Sequence, residues 1–272
     1  MKDKKFSGIL LVSDMDGTLL DSDKRISREN KKTIDYFVEH GGTFTLATGR
    51  MPESAMHYLN DVTINAPGIF YNGGTIFDLH TNKVLYQETL SNHAVELTKN
   101  YMSIYPTCGT EIYHDGVLYI ARHHRLIDEH LRVERFTSEK VNSLVDVPQP
   151  WQKVIFVDEH ERIDQMELEA PEETPIGHYV RSDAMFLELL PPAVSKGKAL
   201  TKLAASLQIP IERVCAVGDN MNDKVMLETA GAGFAVSNAC GPILQCAPYQ
   251  CCSNDEHALV EVIAWIEANW TK

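Results

Sequence analysis

Two segments of this chain are rich in side chains that can handle phosphate. Residues 14–18 read DMDGT, and residues 218–223 read GDNMND. The carboxylate of Asp14 can attack phosphorus and form an aspartyl-phosphate, which divides a difficult displacement into two easier steps. Asp16 can donate a proton to the leaving oxygen and later take one from the water that cleaves this intermediate. The pattern predicts phosphoryl transfer with Asp14 as the nucleophile and Asp16 as the acid and base.

The acidic residues of the two segments also predict a metal site. Four of them are expected at one edge of a sheet: Asp14, Asp16, Asp219 and Asp223. Because like charges repel, these groups either spread into solvent or are held together by a multivalent cation. Oxygen ligands suit Mg²⁺, which commonly takes one or two carboxylates together with water and a substrate phosphate. We favour the cation, and Mg²⁺ is the predicted cofactor.

The proton-donor role of Asp16 sets a condition on its pKa. To carry a proton when the leaving oxygen needs it, this carboxyl must titrate above the ordinary aspartate value of about 3.9. Crowding by neighbouring acids would raise the pKa, whereas the charge of a metal ion would lower it. The sequence leaves open which of these two effects prevails.

The elements that must position these residues alternate between strand and helix. Residues 8–13 form an apolar run typical of a strand buried on both faces, and its carboxyl end delivers Asp14. The next helix has Ser27 as its predicted N-cap and ends at a pair of glycines. Further elements are predicted in the order strand 43–47, helix 52–59 and strand 68–71. This order predicts a right-handed parallel sheet.

The same alternation returns near the C-terminus. Helices are predicted at 196–207, 221–229 and 256–270, and strands at 213–217 and 233–236. In an open parallel sheet, ligands bind outside the carboxyl ends of the strands. Three polar segments follow predicted strands in this way, at 14–18, 48–50 and 218–223. The sheet is therefore expected to bring them to one edge.

The middle of the chain has a different character. Residues 111–121 alternate around Asp115-Gly116, which is a strong hairpin signal, and further strands are predicted at 151–157 and 185–190. The predicted fold class is α/β, with a doubly wound parallel-sheet core formed by residues 1–83 and 190–272. An α+β domain is predicted as an insertion at 84–189.

Composition excludes several classes of protein. The chain has 272 residues, of which 44% are hydrophobic and 23% charged, and it contains no run of about 20 apolar residues, so neither disorder nor a membrane span is expected. A net charge of −13 leaves no general attraction for nucleic acid or anionic lipid. The six cysteines form no C-x-x-C pair and no export signal is visible, which favours a reducing cytoplasm.

The motifs resemble those of haloacid dehalogenase-like (HAD) phosphatases, specifically the Cof-type branch with a type IIB α+β cap. The DMDGT segment looks like the first motif, and Thr48 within ATGR looks like the second. Lys196-Gly197 looks like the third motif, and residues 218–223 with the following Met226-Leu227 look like the fourth. The match extends nearly end to end, and it implies a Rossmann-like core carrying an inserted cap.

The resemblance also implies a role for each matching residue. Asp14, the backbone carbonyl of Asp16 and the carboxylate of Asp219 would bind Mg²⁺, with Asp223 supporting them. Lys196 would neutralise charge on the nucleophile and the phosphoryl oxygens, although Lys198 is an alternative for this role.

The remaining candidates concern the substrate phosphate. The Thr48 hydroxyl would hold the transferring phosphoryl group, and Asn222 would donate to it. Gly49, Arg50 and Asn72 are further candidates, and pairing with a surface acid is the alternative for Arg50. Residues 237–239, which read SNA, depart from the GNA usual in this branch, and this departure affects substrate detail more than reaction type.

The sequence thus predicts a Mg²⁺-dependent phosphomonoester hydrolase that acts on small phosphorylated metabolites such as sugar phosphates. The inserted domain is expected to close over the site and to choose the leaving group. Two alternatives stay open: a phosphomutase of similar architecture, and a regulator that binds a phosphometabolite without turnover. The oligomeric state cannot be read from the sequence.

Overall fold

The computed structural model describes residues 4–59, 61–134, 137–171 and 174–271 of the chain. These residues divide into two compact units. The first comprises Met1–Arg50, Ala55–Tyr86 and Ser195–Lys272, and the second comprises Met51–Ser54 and Gln87–Val194. The second unit is therefore an insertion into the first, apart from the short segment 51–54.

The first unit is built on a parallel sheet. Its strands are β1 (Leu10–Ser13), β2 (Thr43–Leu46), β12 (Val214–Gly218), β13 (Ala232–Val236) and β14 (Tyr249–Cys251). They lie in the order β14-β13-β12-β1-β2, and every neighbouring pair is parallel. All residues of β1, β12 and β13 are buried, as expected for strands covered by helices on both faces. The doubly wound α/β fold predicted from the sequence is confirmed.

The third predicted strand meets this sheet in the expected parallel direction, but only over a short contact. Strand β3 (Gly68–Phe70) joins β2 only through a parallel bridge between Ala47 and Ile69. It belongs instead to a three-stranded sheet with β4 (Thr75–Asp78) and β5 (Lys83–Gln87), and it pairs with β4 antiparallel. The turn after β3, where Asn72 and Gly73 have positive φ values of 55° and 102°, reverses the chain and allows this pairing with β4.

Helices surround the parallel sheet. They are α1 (Arg28–Glu39), α6 (Lys196–Ser206), α7 (Lys224–Thr229), α8 (Gly241–Cys246) and α9 (Ala258–Trp270). The short helix α2 (Pro52–Met56) begins within the segment 51–54 that belongs to the second unit. Helix α1 packs against α9, and α6 packs against α7. Helix α8 and strand β14 were not predicted from the sequence. Among the described residues, none of the helices is long and apolar enough to span a bilayer.

The second unit has a six-stranded, largely antiparallel sheet. Its strands are β6 (Gly109–His114), β7 (Val117–Arg122), β8 (Ser138–Lys140), β9 (Lys153–Val157), β10 (His178–Asp183) and β11 (Phe186–Leu190), in the order β10-β11-β9-β6-β7-β8. Its helices are α3 (Ala94–Ile104), α4 (Arg125–Glu134) and α5 (His160–Glu169). The hairpin predicted around Asp115-Gly116 is confirmed as β6 and β7.

The two faces of this second sheet differ in chemistry. One face carries apolar side chains such as Ile112 and Phe156, which form a core cluster with Tyr101 of α3 and Ile163 of α5. The register places Glu111, Lys153 and Glu188 on the opposite face, because successive residues of a strand point to opposite sides. The Lys153 ammonium lies 3.1 Å from a Glu188 carboxylate oxygen, and both side chains are buried.

The start of α1 allows a test of local stability. The Ser27 hydroxyl accepts a hydrogen bond from the Asn30 backbone N–H at 3.2 Å, and this confirms Ser27 as the N-cap. We expect Ser27→Ala to lower the free energy of unfolding by about 1 kcal/mol, because the N–H group loses its acceptor. Ser27→Asp should stay close to wild type, since aspartate caps equally well. Urea unfolding followed by circular dichroism measures both, and equal stability of all three proteins would contradict the assignment.

Candidate active site

The strands of the first unit bring three of the predicted segments to one edge of the sheet. Ser13, the last residue of β1, pairs with Val217 of β12 on one side and with Leu46 of β2 on the other. The Asp14 N–H extends this pairing by donating to the Val217 carbonyl at 2.9 Å. Asp14 therefore lies beside the segments that follow β2 and β12, as expected for carboxyl ends of parallel strands.

Three carboxylates and one lysine form the centre of the site. Oxygen atoms of Asp14, Asp219 and Asp223 all lie within 4.8 Å of one another. The Lys196 ammonium is completely buried and donates to Asp14 Oδ1 at 2.8 Å and to Asp223 Oδ1 at 2.6 Å. Lys198, the alternative from the sequence, is exposed. Of the two lysines, the structure places Lys196 against the predicted nucleophile.

The charges of this cluster do not balance. Three carboxylates face one ammonium, which leaves an excess of two negative charges if all of them are ionised. Burial raises the pKa of Asp14 well above its ordinary value, and the charge of Asp223 adds to this effect. The same two causes raise the pKa of Asp219 to about 7. Burial opposes the charge on Lys196, but Asp14 and Asp223 outweigh it and raise the pKa of the lysine.

Hydrogen bonds fix the positions of the two later acids. The Thr18 hydroxyl donates to Asp219 Oδ1 at 3.0 Å. The backbone N–H groups of Asp219 and Asn220 donate to Asp223 Oδ2 at 2.9 and 3.2 Å. Gly17 is required beside them, because a Cβ there would lie 2.6 Å from an Asp219 oxygen and because its φ is +72°. The DMDGT and GDNMND segments therefore hold each other in place.

The cluster fits a divalent cation. Its donor set consists of carboxylate oxygens, which Mg²⁺ prefers over nitrogen or sulfur. An ion with two positive charges would offset the excess that raises the pKa values of Asp14 and Asp219. Among the residues that the structure describes, this is the one group of three or more such side chains close enough to share an ion.

Asp16 is not part of this cluster, and this corrects the expectation that four acids converge. Its backbone is extended (φ −75°, ψ 126°), and its carboxylate contacts Arg50 and Lys24 instead. Arg50 donates through Nε to Oδ2 at 2.6 Å and through Nη2 to Oδ1 at 2.9 Å, and Lys24 donates to Oδ1 at 2.7 Å. The attraction of these two cations accounts for the separation. The predicted metal contact of Asp16 is through its backbone carbonyl, and it stays a prediction.

The two cations also decide the proton affinity of Asp16. Burial acts to raise its pKa, but hydrogen bonds from Arg50 and the charges of Arg50 and Lys24 outweigh burial and hold the pKa below its usual range. The requirement for a raised pKa is therefore not met in this arrangement. The cations of Arg50 and Lys24 were not among the effects weighed from the sequence.

The remaining candidates lie around the turn that follows β2. Thr48 is buried, and its hydroxyl accepts from the Arg50 N–H at 3.2 Å. Gly49 lies against Asn72, whose side chain would be 3.1 Å from a Cβ at that position. The Asn222 amide nitrogen donates to Asn72 Oδ1 at 2.9 Å, which links this turn to the segment after β12.

These contacts bear on three predicted roles. The Asn222 nitrogen has a second N–H to offer to phosphate, while its buried oxygen has no hydrogen-bond partner among the described residues. The Arg50 guanidinium pairs with Asp16. Phosphate binding by Thr48, Arg50 and Asn222 stays a prediction.

Two residues of the site were missed by sequence reasoning. Lys24 reaches Asp16 from the loop before α1, a loop in which the sequence pattern marks no special residue. Asn238 lies in the SNA segment that departs from the usual pattern. Its side chain donates to the Gly17 carbonyl at 2.8 Å and accepts from the Asn254 N–H at 3.0 Å. The retained asparagine in that segment was the available signal for Asn238.

Comparison with known proteins gives consistent results. The sequence model of the haloacid dehalogenase-like hydrolase family matches residues 11–263. Phosphatase YwpJ of Bacillus subtilis (strain 168) is 27% identical over 289 residues, which cover 93% of this chain and 98% of the relative. The 5-amino-6-(5-phospho-D-ribitylamino)uracil phosphatase YwtE of the same organism is 29% identical over 280 residues, with coverage of 93% and 96%.

A solved structure agrees with these relatives. A haloacid dehalogenase-like hydrolase from Bacteroides thetaiotaomicron has a TM-score of 0.83 at 27% identity, and the match covers 95% of this chain and 99% of that chain. The family resemblance inferred from the motifs is thereby confirmed. The chain belongs to the haloacid dehalogenase-like hydrolase family, and within it to the phosphatases.

Proposed function

We propose that this protein is a Mg²⁺-dependent phosphomonoester hydrolase that works through an aspartyl-phosphate on Asp14. The observation that carries the proposal is the buried Lys196, which bridges Asp14 and Asp223 while Asp219 lies within reach of both. Removing the lysine and the two carboxylates from water costs free energy of folding, which their mutual attraction offsets only in part. The contact of Lys196 with Asp14 Oδ1 fixes the orientation of the nucleophile.

The protein groups carry the reaction in two halves. In the first, an Asp14 oxygen forms a bond to phosphorus while the ester bond breaks, and Asp16 gives a proton to the leaving oxygen. In the second, water attacks phosphorus, Asp16 takes the proton, and the bond from phosphorus to Asp14 breaks. Lys196 offsets negative charge on the nucleophile and on the phosphoryl oxygens in both halves.

The ion would be held by Asp14, Asp219 and the backbone carbonyl of Asp16, with Asp223 as support. When bound, Mg²⁺ supplies charge neutralisation and orients the phosphoryl group. The hydroxyl of Thr48 and the second N–H of Asn222 are the groups proposed to hold the phosphoryl oxygens.

Asp16 starts in its ionised form because Arg50 and Lys24 hold its pKa below the usual range. This form suits the second half of the reaction, in which Asp16 accepts a proton from water. For the first half, we propose that the carboxyl takes up a proton on Oδ2 as its contact with Arg50 Nε loosens, while Arg50 Nη2 and Lys24 stay on Oδ1. Asp16 would then alternate between its ionised and its protonated form in each catalytic cycle.

Small phosphorylated metabolites are the proposed substrates. The relative YwtE is named for a compound with a phosphorylated ribityl group, and a phosphorylated polyol or sugar is therefore a reasonable first class to screen. We propose that residues 87–194, rather than the parallel-sheet unit, choose the leaving group, since the unit of strands β1, β2 and β12 already holds the reacting residues. We also propose that the protein is cytoplasmic, because all six cysteines are free thiols, as is usual in a reducing compartment.

The first test concerns the nucleophile. We expect Asp14→Asn to abolish release of inorganic phosphate from 4-nitrophenyl phosphate, because the amide cannot form the covalent intermediate. Asp16→Ala should reduce turnover by about 10²-fold or more. Phosphate release assayed over time measures both. Turnover by the Asp14→Asn variant at the wild-type rate would reject the mechanism, and transfer to a sugar hydroxyl without net phosphate release would indicate a mutase.

The second test compares the two lysines. Lys196→Met should lower kcat by about 10²-fold or more and lower the free energy of unfolding by about 3 kcal/mol, because two buried carboxylates lose their partner. Lys198→Met is the matched control, since this side chain is exposed, and both its activity and its stability should stay near wild type. Steady-state kinetics and urea unfolding measure the effects. Equal effects of the two substitutions would contradict the placement of Lys196.

The third test concerns the cation. After treatment with a chelator, the protein should lose hydrolysis, and Mg²⁺ should restore it. In the absence of substrate, Mg²⁺ at about one hundred times its dissociation constant should stabilise the fold by about 2–3 kcal/mol. Asp219→Asn should weaken this stabilisation because one carboxylate ligand is lost. Thermal unfolding with and without Mg²⁺ measures it, and a Tm that does not respond to Mg²⁺ in the wild type would refute the site.

A further inference from the structure

Lys24 is a charged group at the candidate active site that can fix the orientation of the Asp16 carboxylate as well as lower its pKa. Its ammonium lies 2.7 Å from Asp16 Oδ1, in contact with the proposed acid and base. It is outside the DMDGT, ATGR and GDNMND segments, and it lies in the loop between the first of these and α1.

The backbone around Lys24 does not favour a lysine. Its φ is +58°, in the left-handed region where glycine and asparagine are the usual residues. The turn is closed by the Lys24 N–H, which donates to the Asp21 carbonyl at 2.9 Å. Asp21 Oδ1 also accepts from the N–H groups of Asp23 and Arg25 at 3.0 and 2.8 Å. The turn therefore holds Lys24 in a conformation that is unfavourable for lysine, and the side chain extends from it to Asp16.

The loop is also fixed from outside. The Ser22 N–H and hydroxyl donate to the two carboxylate oxygens of Asp255 at 2.8 and 2.7 Å. Asp255 lies in the short helical turn Asn254–Glu256, which precedes α9. Lys24 therefore extends toward Asp16 from a backbone held at two points, and the ammonium has less freedom than it would have on a mobile loop.

The contacts of Asp16 are unequal on its two oxygens. Oδ1 accepts from Arg50 Nη2 at 2.9 Å and from Lys24 at 2.7 Å, whereas Oδ2 accepts from Arg50 Nε at 2.6 Å. A carboxylate oxygen offers about two acceptor positions. Oδ1 is therefore filled by its two donors, and Oδ2 keeps one position for another group. Lys24 is the donor that creates this difference, since Arg50 alone would contact both oxygens once.

We propose that Lys24 is a positioning residue of the phosphatase reaction, which with Arg50 fills Oδ1 of Asp16 and leaves Oδ2 to exchange the proton. This inference rests on the proposed function, because it takes Asp16 as the acid and base. In the first half, the proton moves from Oδ2 to the ester oxygen as its bond to phosphorus breaks. In the second half, a proton of the attacking water moves to Oδ2 as the bond from phosphorus to Asp14 breaks.

The need for this proton depends on the leaving group. The 4-nitrophenolate ion is stable without a proton, whereas the alkoxide of a sugar or of glycerol is a poor leaving group. A misplaced Asp16 therefore slows the hydrolysis of alkyl phosphates more than that of an aryl phosphate. Damage to the fold or to phosphate binding slows both kinds of substrate equally.

The experiment compares two substrates in purified full-length variants with Mg²⁺ present. One is 4-nitrophenyl phosphate, and the other is the alkyl phosphate that the wild type hydrolyses fastest among glycerol 3-phosphate, ribose 5-phosphate and glucose 6-phosphate. We expect Lys24→Met to lower kcat about tenfold on the alkyl phosphate and less than about threefold on the aryl phosphate. KM should change less than about twofold on either substrate, because the contact is with Asp16 and not with phosphate.

Three further variants distinguish an effect of Lys24 on the orientation of Asp16 from an effect on the stability of the fold. Lys24→Gly should show the same selective loss of activity while its Tm is unchanged or raised, because glycine suits the positive φ. Lys24→Arg should recover most of the alkyl turnover, because it keeps a cationic donor. Arg25→Met is the control, since the exposed Arg25 side chain pairs with Asp23 and not with Asp16, and both rates should stay near wild type.

The outcomes are distinct when Asp16→Ala is measured in parallel. A selective loss in Asp16→Ala and in Lys24→Met supports the inference. A selective loss in Asp16→Ala with no loss, or an equal loss on both substrates, in Lys24→Met overturns the role of Lys24 and leaves the proposed function standing. If Asp16→Ala itself shows no selective loss, or no alkyl phosphate is hydrolysed by the wild type, both the inference and the acid and base assignment are overturned.

Discussion

The active site depends on a buried imbalance of charge, in which three carboxylates share a single ammonium. Lys196 is fully buried between Asp14 and Asp223, and Asp219 lies close enough to add its own repulsion. Such an arrangement opposes folding unless something offsets the remaining charge. The same imbalance makes the site suited to a divalent cation and to the phosphoryl group that the cation would orient. The uncompensated negative charge thus lowers the stability of the fold at the same place where it would attract the cation.

A second group of charges lies apart from the first and has the opposite balance. At Asp16 one carboxylate meets two cations, Arg50 and Lys24, so that this side of the site is positive while the Asp14 side is negative. The division corresponds to two tasks of the proposed reaction. The acids near Lys196 would hold the ion and supply the nucleophile, and the group around Asp16 would handle the proton of the leaving oxygen. Two aspartates separated by a single residue therefore work in opposite surroundings.

The scaffold explains why residues from distant parts of the chain meet. Strands β1 and β12 are neighbours in register, which places Asp14 beside the segment that carries Asp219. Gly17 then allows the first segment to approach Asp219 closely, and Asn238 ties a third segment to the Gly17 carbonyl. The inserted unit has its own apolar core on one face of its sheet and buried charges on the other.

The family, the doubly wound sheet and most of its elements could be predicted from the sequence, because buried strands, caps and glycine turns leave local signals such as the run before Asp14 and the cap at Ser27. It did not determine that β3 pairs antiparallel with β4, because the partner of a strand depends on contacts that the local sequence does not set. It placed Asp16 with the other acids, although Arg50 and Lys24 hold it apart. The contact between Lys24 and Asp16 was not predicted, because it forms between a loop and the preceding turn and follows no sequence periodicity. Local pattern decides which elements form, whereas the partner and protonation of each charged group depend on distances that exist only in the folded chain.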